Sequence, residues 1–176
     1  MKRFAFTMLE LVFVIIVIGI LAVLAMPNFN RHPLQEATEQ LASHIRYTQH
    51  LAMVDDKFDP ADANWWKTKW QLEIAGTSYN LYSDANDNGF TTGEAAIDPL
   101  TKTPISSIDL ATKYGITAIT TPATLAFDNM GRPYDGFTDV YTDLITADTN
   151  ITLTHEDGTA IITIRPETGY VSVTYP

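Results

Sequence analysis

Three groups of side chains in this 176-residue chain have the types and spacing to do chemistry. The first is Asp84-Ala85-Asn86-Asp87-Asn88-Gly89, with Glu94 shortly after. Oxygen-bearing side chains at alternate positions, with glycine at the sixth, are what a calcium loop needs. The oxygens converge on a hard cation and the glycine permits the sharp turn. The twelfth position, where an EF-hand places a bidentate acid, is Ala95, and Glu94 stands one place early. Asp84, Asn86, Asn88 and Glu94 are therefore the candidate metal ligands, and Ca2+ the one candidate cofactor, with none required. A plain Asx-rich turn accounts for the same residues, because Asn, Asp and Gly cluster in turns without any metal.

The second group is the histidines. His44 and His50 are six positions apart, on different faces of a helix, so they cannot form the i, i+4 pair of a zinc helix. They read, with His32, as residues of a solvated face. His155 stands beside Glu156 and Asp157 without a placed nucleophile. Cysteine is absent, which excludes a thiolate nucleophile, a Cys-ligated metal and a disulfide scaffold. No nucleophile elbow, P-loop or dinucleotide glycine pattern occurs. These absences point away from an enzyme. The net charge of −10 argues against a nucleic-acid partner, which needs clustered Lys and Arg, and suits a well-solvated domain.

The third group is a single residue, Glu10, at the head of the apolar run Leu11 to Met26. From Phe6 to Met26 only Thr7 and Glu10 are polar. As a helix that segment would be about 31 Å long, enough for a hydrocarbon core of about 30 Å. A carboxylate inside a membrane helix costs roughly 2.5–3.5 kcal/mol near the centre and less near an end, and is usually paired. The cations nearby are Lys2, Arg3 and the terminal amine.

Phe6-Thr7-Met8-Leu9-Glu10, preceded by a short basic stretch and followed by an unbroken apolar run, resembles the prepilin signal of type IV pilins and type II secretion pseudopilins. The resemblance implies cleavage by a prepilin peptidase between Ala5 and Phe6, N-methylation of Phe6, and an assembly role for Glu10 as the fifth mature residue. Pro27 falls where the family often bends its helix. Ala5 departs from the pattern, which normally has Gly there. A rival reading is an ordinary secretory signal with Val23-Leu24-Ala25 as its cleavage site; it leaves Glu10 unexplained, and the helical pattern continues past the cut.

The elements that would position these residues follow from periodicity. Pro27 and Pro33 each remove a helical hydrogen bond, so the helix is expected to kink there and to resume from about Leu34 to Met53, as one rod roughly 70 Å long. Leu34, Ala37, Leu41, Ile45, Thr48 and Ala52 recur at spacings of three and four, the mark of one buried helical face. Trp66, Thr68, Trp70, Leu72 and Ile74 then alternate with Lys67, Lys69, Gln71 and Glu73, as a half-buried strand does. Ala75 to Ser78 turns the chain into a returning strand, Tyr79 to Ser83. Ile108 to Tyr114 reads as a short helix capped by Gly115; 116–120 and 124–128 are strand-like; Tyr134 to Thr149 is a surface loop. Ile151 to His155, Thr159 to Arg165 and Tyr170 to Tyr175 form a meander suited to pack on the helix, with the last strand at an edge.

The resulting expectation is an α+β fold of the type IV pilin kind. It has a leader over 1–5, a membrane-spanning front half of one long N-terminal helix over 6–26, and its rear half over 27–53. That helix packs against the antiparallel β-sheet of a globular head over 54–176. The loop at 84–94, and Phe127-Asp128-x-x-Gly131-Arg132-Pro133, resemble the heads of H-type minor pseudopilins. The resemblance implies a structural subunit of an envelope-spanning filament: the type II secretion pseudopilus, or alternatively a minor pilus subunit for adhesion, motility or DNA uptake. Its implied partners are other pilins or pseudopilins, the prepilin peptidase, an inner-membrane assembly platform and membrane lipid. Its implied location is the bacterial inner membrane, single-pass, with the head in the periplasm. A function class apart is a membrane-anchored periplasmic binding module.

Overall fold

The computed structural model describes residues 7–25, 32–120, 122, 124–136 and 142–176. The chain divides into two units, 1–31 and 32–176. The described part of the first is helix α1, Met8–Ala25. The second begins with α2, Pro33–Val54, and a 3-10 turn over Trp65–Thr68. Then come β1 (Trp70–Ala75), β2 (Ser78–Ser83), β3 (Ile108–Asp109), α3 (Leu110–Tyr114), β4 (Ala118–Thr120), β5 (Thr124–Phe127) and β6 (Pro133–Asp135). It closes with β7 (Thr149–His155), β8 (Gly158–Ile164) and β9 (Val171–Thr174). The strands form two antiparallel sheets, one ordered β3-β2-β1-β5-β6 and the other β4-β7-β8-β9.

Helix α2 lies at the centre of the second unit. Ala37, Thr38, Leu41, Ala42, Ile45, Thr48 and Ala52 are buried, one wide stripe at helical spacing. The stripe touches β1 and β5 of the first sheet and β7, β8 and β9 of the second. Leu72, Ile74 and Leu81 meet it from one side; Ile151, Leu153, Ile162 and Ile164 close the same core from the other. Each fully buried Leu or Ile contributes about 1.5–3 kcal/mol from apolar burial. The two threonines on the stripe keep their hydroxyls satisfied within the helix: Thr38 donates to the Leu34 carbonyl at 2.6 Å and Thr48 to that of His44 at 2.8 Å. That back-bonding lets a polar side chain stand in a core.

The local signals at the sheet ends act as their chemistry dictates. Gly76 takes φ +65° in the β1–β2 hairpin, and Leu72 pairs with Leu81. Asp109 accepts the Ala111 N–H at the start of α3, and Gly115 ends that helix in the left-handed region, where glycine meets no Cβ penalty. In β7 and β8, Ile151, Leu153, Ala160, Ile162 and Ile164 are buried at alternate positions, so one face of the meander meets the core. The last strand, β9, is an edge.

The expected fold class is corrected in three respects. One long N-terminal helix on a single sheet is replaced by two separate helices, α1 and α2, and by two sheets. The second helix starts afresh: His32 has non-helical torsions of φ −109° and ψ 76°, Pro33 occupies the first turn, and the first intrahelical bond runs from the Glu36 N–H to the His32 carbonyl at 2.9 Å. Proline fits this start because its missing N–H would have had no helical partner.

The membrane-spanning segment over 6–26 is overturned as well. Among the described residues no helix is long and apolar enough to cross a membrane. Helix α1 has 18 residues, about 27 Å at ~1.5 Å each, short of a core of about 30 Å. The ends of the expected span, Phe6 and Met26, lie outside the described residues. The single-pass inner-membrane placement is overturned with it. Pro27, Ala5 and the leader also lie outside the described residues.

A smaller correction concerns the strand expected from Trp66. Residues 65–68 form the 3-10 turn instead, with the Lys67 N–H on the Asn64 carbonyl at 2.9 Å and the Thr68 hydroxyl on that of Trp65 at 2.7 Å. The strand starts at Trp70. The tightened turn breaks the alternation, and Lys69, expected on the solvent face with Lys67, is buried.

Candidate functional site

Helix α1 has no apolar face because it is apolar all round. Met8, Leu9, Leu11 to Ile18, Ile20 and Leu21 are each at least 36% exposed. Their directions cover the full circumference, since successive residues turn by about 100°. A helix of this composition is stable in quantity only when its surface is covered by other apolar groups. Glu10 is the one charged side chain on it, and it is exposed.

The structure adds a local role for Glu10. Its N–H donates to the Thr7 hydroxyl at 3.3 Å, while the Leu11 N–H bonds the Thr7 carbonyl at 3.2 Å. Thr7 is therefore the N-cap, and Thr7-x-x-Glu10 has the spacing of a capping box. An acid in the first turn also complements the positive end of the helix dipole. That S/T-x-x-E signal was legible in the sequence and went unused there.

The four loop residues are placed together, but the two carboxylates among them already serve the loop. Asp84 accepts the backbone N–H groups of Asn86 at 3.3 Å, Asn88 at 3.2 Å and Gly89 at 2.8 Å. Glu94 accepts the Ala85 N–H at 3.2 Å and the Thr91 hydroxyl at 2.7 Å. Asn86 and Asn88 enter through their backbones. Asp87 turns outward to Lys67 at 2.6 Å. Among the described residues no group of three or more His, Asp or Glu is placed to hold a metal ion. What the geometry shows is an Asx-type turn, closed at its far end by Glu94.

His44 departs from the solvated-face reading. It is half-buried and edge-on to Tyr79, with Nδ1 2.8 Å from the tyrosine hydroxyl. Gln40 Nε2 donates to that hydroxyl at 3.0 Å, so the Tyr79 O–H is left to donate to a neutral His44. Gln40 Oε1 in turn accepts from Lys113 and Tyr114, both at 2.7 Å, tying α2 to α3. Burial lowers the His44 pKa; Asp98 opposes the shift and Lys113 adds to it. A folded-state pKa below the unfolded value of 6.5 gives stability that is complete above that value and is lost as pH falls through the folded one. Melting curves at pH 7.5 and 5.5 should show a drop for the unaltered protein that is smaller for His44→Gln. Equal drops would mean that His44 titrates as in the unfolded chain.

Comparison with protein-family models, with curated proteins and with solved structures finds no match to this chain.

Proposed function

We propose that the chain is a structural subunit of a pilin-like filament, of the pseudopilin kind, and that it assembles through α1. The observation that carries this reading is the helix itself: a full apolar circumference, exposed on the single chain, with one acid in its first turn. The apolar surroundings such a helix requires would come from the same helix of neighbouring subunits, which needs no crossing of a bilayer. In a dry bundle Glu10 would be a buried charge, and a buried carboxylate without a partner is strongly destabilising. The partner proposed here is the amino terminus that a neighbour would expose at Phe6 once residues 1–5 are removed. An ion pair at one fixed height along each helix would set register, the best-attested use of a buried pair. The β-rich second unit, lacking cysteine, would be the head displayed on the filament surface. Protein export by a type II secretion pseudopilus is the process this reading favours.

The capping role makes the choice of substitution decisive. Gln at the third helical position can still complete a capping box but carries no charge. Subunits with Glu10→Gln and Glu10→Ala are both expected to enter sheared filaments at least about tenfold less than the unaltered chain, the equivalent of ~1.4 kcal/mol per contact. Normal incorporation of Glu10→Gln with loss for Glu10→Ala would reduce Glu10 to a helix cap and overturn the pairing.

A further inference from the structure

We propose that the second unit docks onto a second copy of itself: Leu100 of one copy enters an aromatic cavity of the next, and Lys102 beside it faces Asp56 on the cavity rim. The contact lies wholly within the second unit, goes beyond the filament reading and does not depend on how α1 assembles.

The knob is a hairpin between β2 and β3, closed by an antiparallel bridge from Ile97 to Pro104. The Asp98 N–H donates to the Thr103 carbonyl and the Lys102 N–H to the Asp98 carbonyl, both at 2.9 Å. The Asp98 carboxylate accepts the Leu100 N–H at 2.7 Å, and the Tyr47 hydroxyl fastens the Ile97 carbonyl to α2 at 3.0 Å. The backbone under Leu100 is thus fixed before any contact is made, which removes an ordering cost from binding. Leu100 is 88% exposed, the highest value of any large apolar side chain among the described residues. Lys102 is exposed two residues on, and its side chain makes no ion pair or hydrogen bond among the described residues.

The socket lies where the end of α2, the Trp65–Thr68 turn and the segment after β5 meet. Ala52, Phe58, Trp65, Trp70 and Phe127 form its apolar wall, and its volume is about 90 Å³. An apolar cavity of about 150 Å³ holds benzene, or ~25 Å³ per carbon, so this one matches the four carbons of a leucine side chain. Asp55, Asp56 and Phe58 on its rim are exposed, so its mouth opens to solvent. Asp55, Asp56 and Asp128 line it against Lys57 and Lys69. Asp55 is paired with Lys57 at 2.6 Å and Asp128 with Arg132 at 2.7 Å, while Lys69 is buried with its ammonium over the Tyr134 ring. Asp56 accepts from neutral donors, the Asn129 amide at 2.9 Å and the Phe58 N–H at 3.0 Å, and has no ion pair among the described residues. An unpaired ammonium beside the knob and an unpaired carboxylate beside the socket make the two surfaces complementary in charge as well as in size. The leucine supplies affinity through apolar burial, and the ion pair at the rim supplies orientation.

Leu100 does not fill the socket of its own chain. Tyr47, which holds the hairpin, lies about 140° around α2 from Ala52, and Leu100 stands in solvent. Knob and socket are separate patches, so a contact between them is heterologous. Each such contact leaves one knob and one socket free, and it repeats from copy to copy.

The test uses the full chain in a non-ionic detergent that covers α1. Isotope-labelled and unlabelled protein are mixed and treated with a carbodiimide, which joins an ammonium to a carboxylate in contact with it. The digested products are read by mass spectrometry. The expected result is a Lys102–Asp56 cross-link that joins labelled to unlabelled chains. Its yield should fall about tenfold in Leu100→Ala, which keeps both charged groups, and hold in Leu100→Met, which keeps the apolar volume. Neither substitution touches the core, because Leu100 is exposed. Absence of the link, a link confined to single chains, or an equal yield in Leu100→Ala would each overturn the contact.

Discussion

Replacing Gly169 with alanine should unfold the second unit at a temperature roughly 10 °C lower than the unaltered chain. Gly169 follows β8 in the turn that leads to β9 and has φ +61°, a conformation that costs an L-residue roughly 1–2 kcal/mol. A Cβ there would lie 2.5 Å from both the Gly131 carbonyl oxygen and the Gln49 Nε2, and 3.1 Å from Phe127. One of those atoms is backbone and cannot swing aside. The Gln49 amide is held too: it donates to the Gly131 and Thr168 carbonyls, each at 2.9 Å. Helix α2 is thereby fastened to one turn from each sheet at a single point, and the methyl would wedge all three apart. Strain of about 1–3 kcal/mol from overpacking adds to the torsional cost. A domain of this size loses about 2–4 °C per kcal/mol. Thermal melts followed by circular dichroism check the outcome, and a fall under about 3 °C would show that the two turns separate freely.

Asp128→Ala should be comparably severe, at about 3 kcal/mol. Asp128 is 7% exposed and directly follows β5 of the first sheet. Its carboxylate accepts from the Met130 N–H at 3.0 Å, the Arg132 N–H at 2.8 Å, the Arg132 Nε at 2.7 Å and the Tyr134 hydroxyl at 3.3 Å. Removing one member of a buried pair costs roughly 3–5 kcal/mol because the other charge is left behind; the partial exposure of Arg132 puts the value at the low end. The change also takes a negative charge from beside Lys69, which that charge helps keep protonated. Asp128→Asn keeps the size and one acceptor oxygen and should recover part of the loss. Urea denaturation separates the cases. A midpoint unchanged in Asp128→Ala would mean that water replaces the carboxylate in the turn.

Much of the second unit was legible because its signals are local. The stripe from Leu34 to Ala52 needs only helical spacing to declare a buried face. The Gly76 hairpin, the Gly115 cap and the closing meander each rest on residues within a few positions of one another. Glu10 stood out for the same reason, as a lone acid heading an apolar run. The break before α2 was harder to read, because Pro33 is compatible both with a kink in a continuing helix and with the first turn of a new one. The torsions of His32 distinguish the two.

Composition and short-range pattern by themselves determined which residues must be hidden and where the backbone must turn, since hydrophobic burial and left-handed φ are properties of single residues and near neighbours. Tertiary structure alone decided which hidden faces meet. It set β5 beside β1, put β4 in the other sheet with β7, and gave α2 two sheets to cover. It also drew Lys69, Trp65 and Phe127 around one cavity and turned His44 onto Tyr79. Such pairings join residues dozens of positions apart, and their free energy depends on distances that the chain acquires only when folded. A lysine in an alternating stretch therefore reads as solvated, until a single tightened turn carries it into the core.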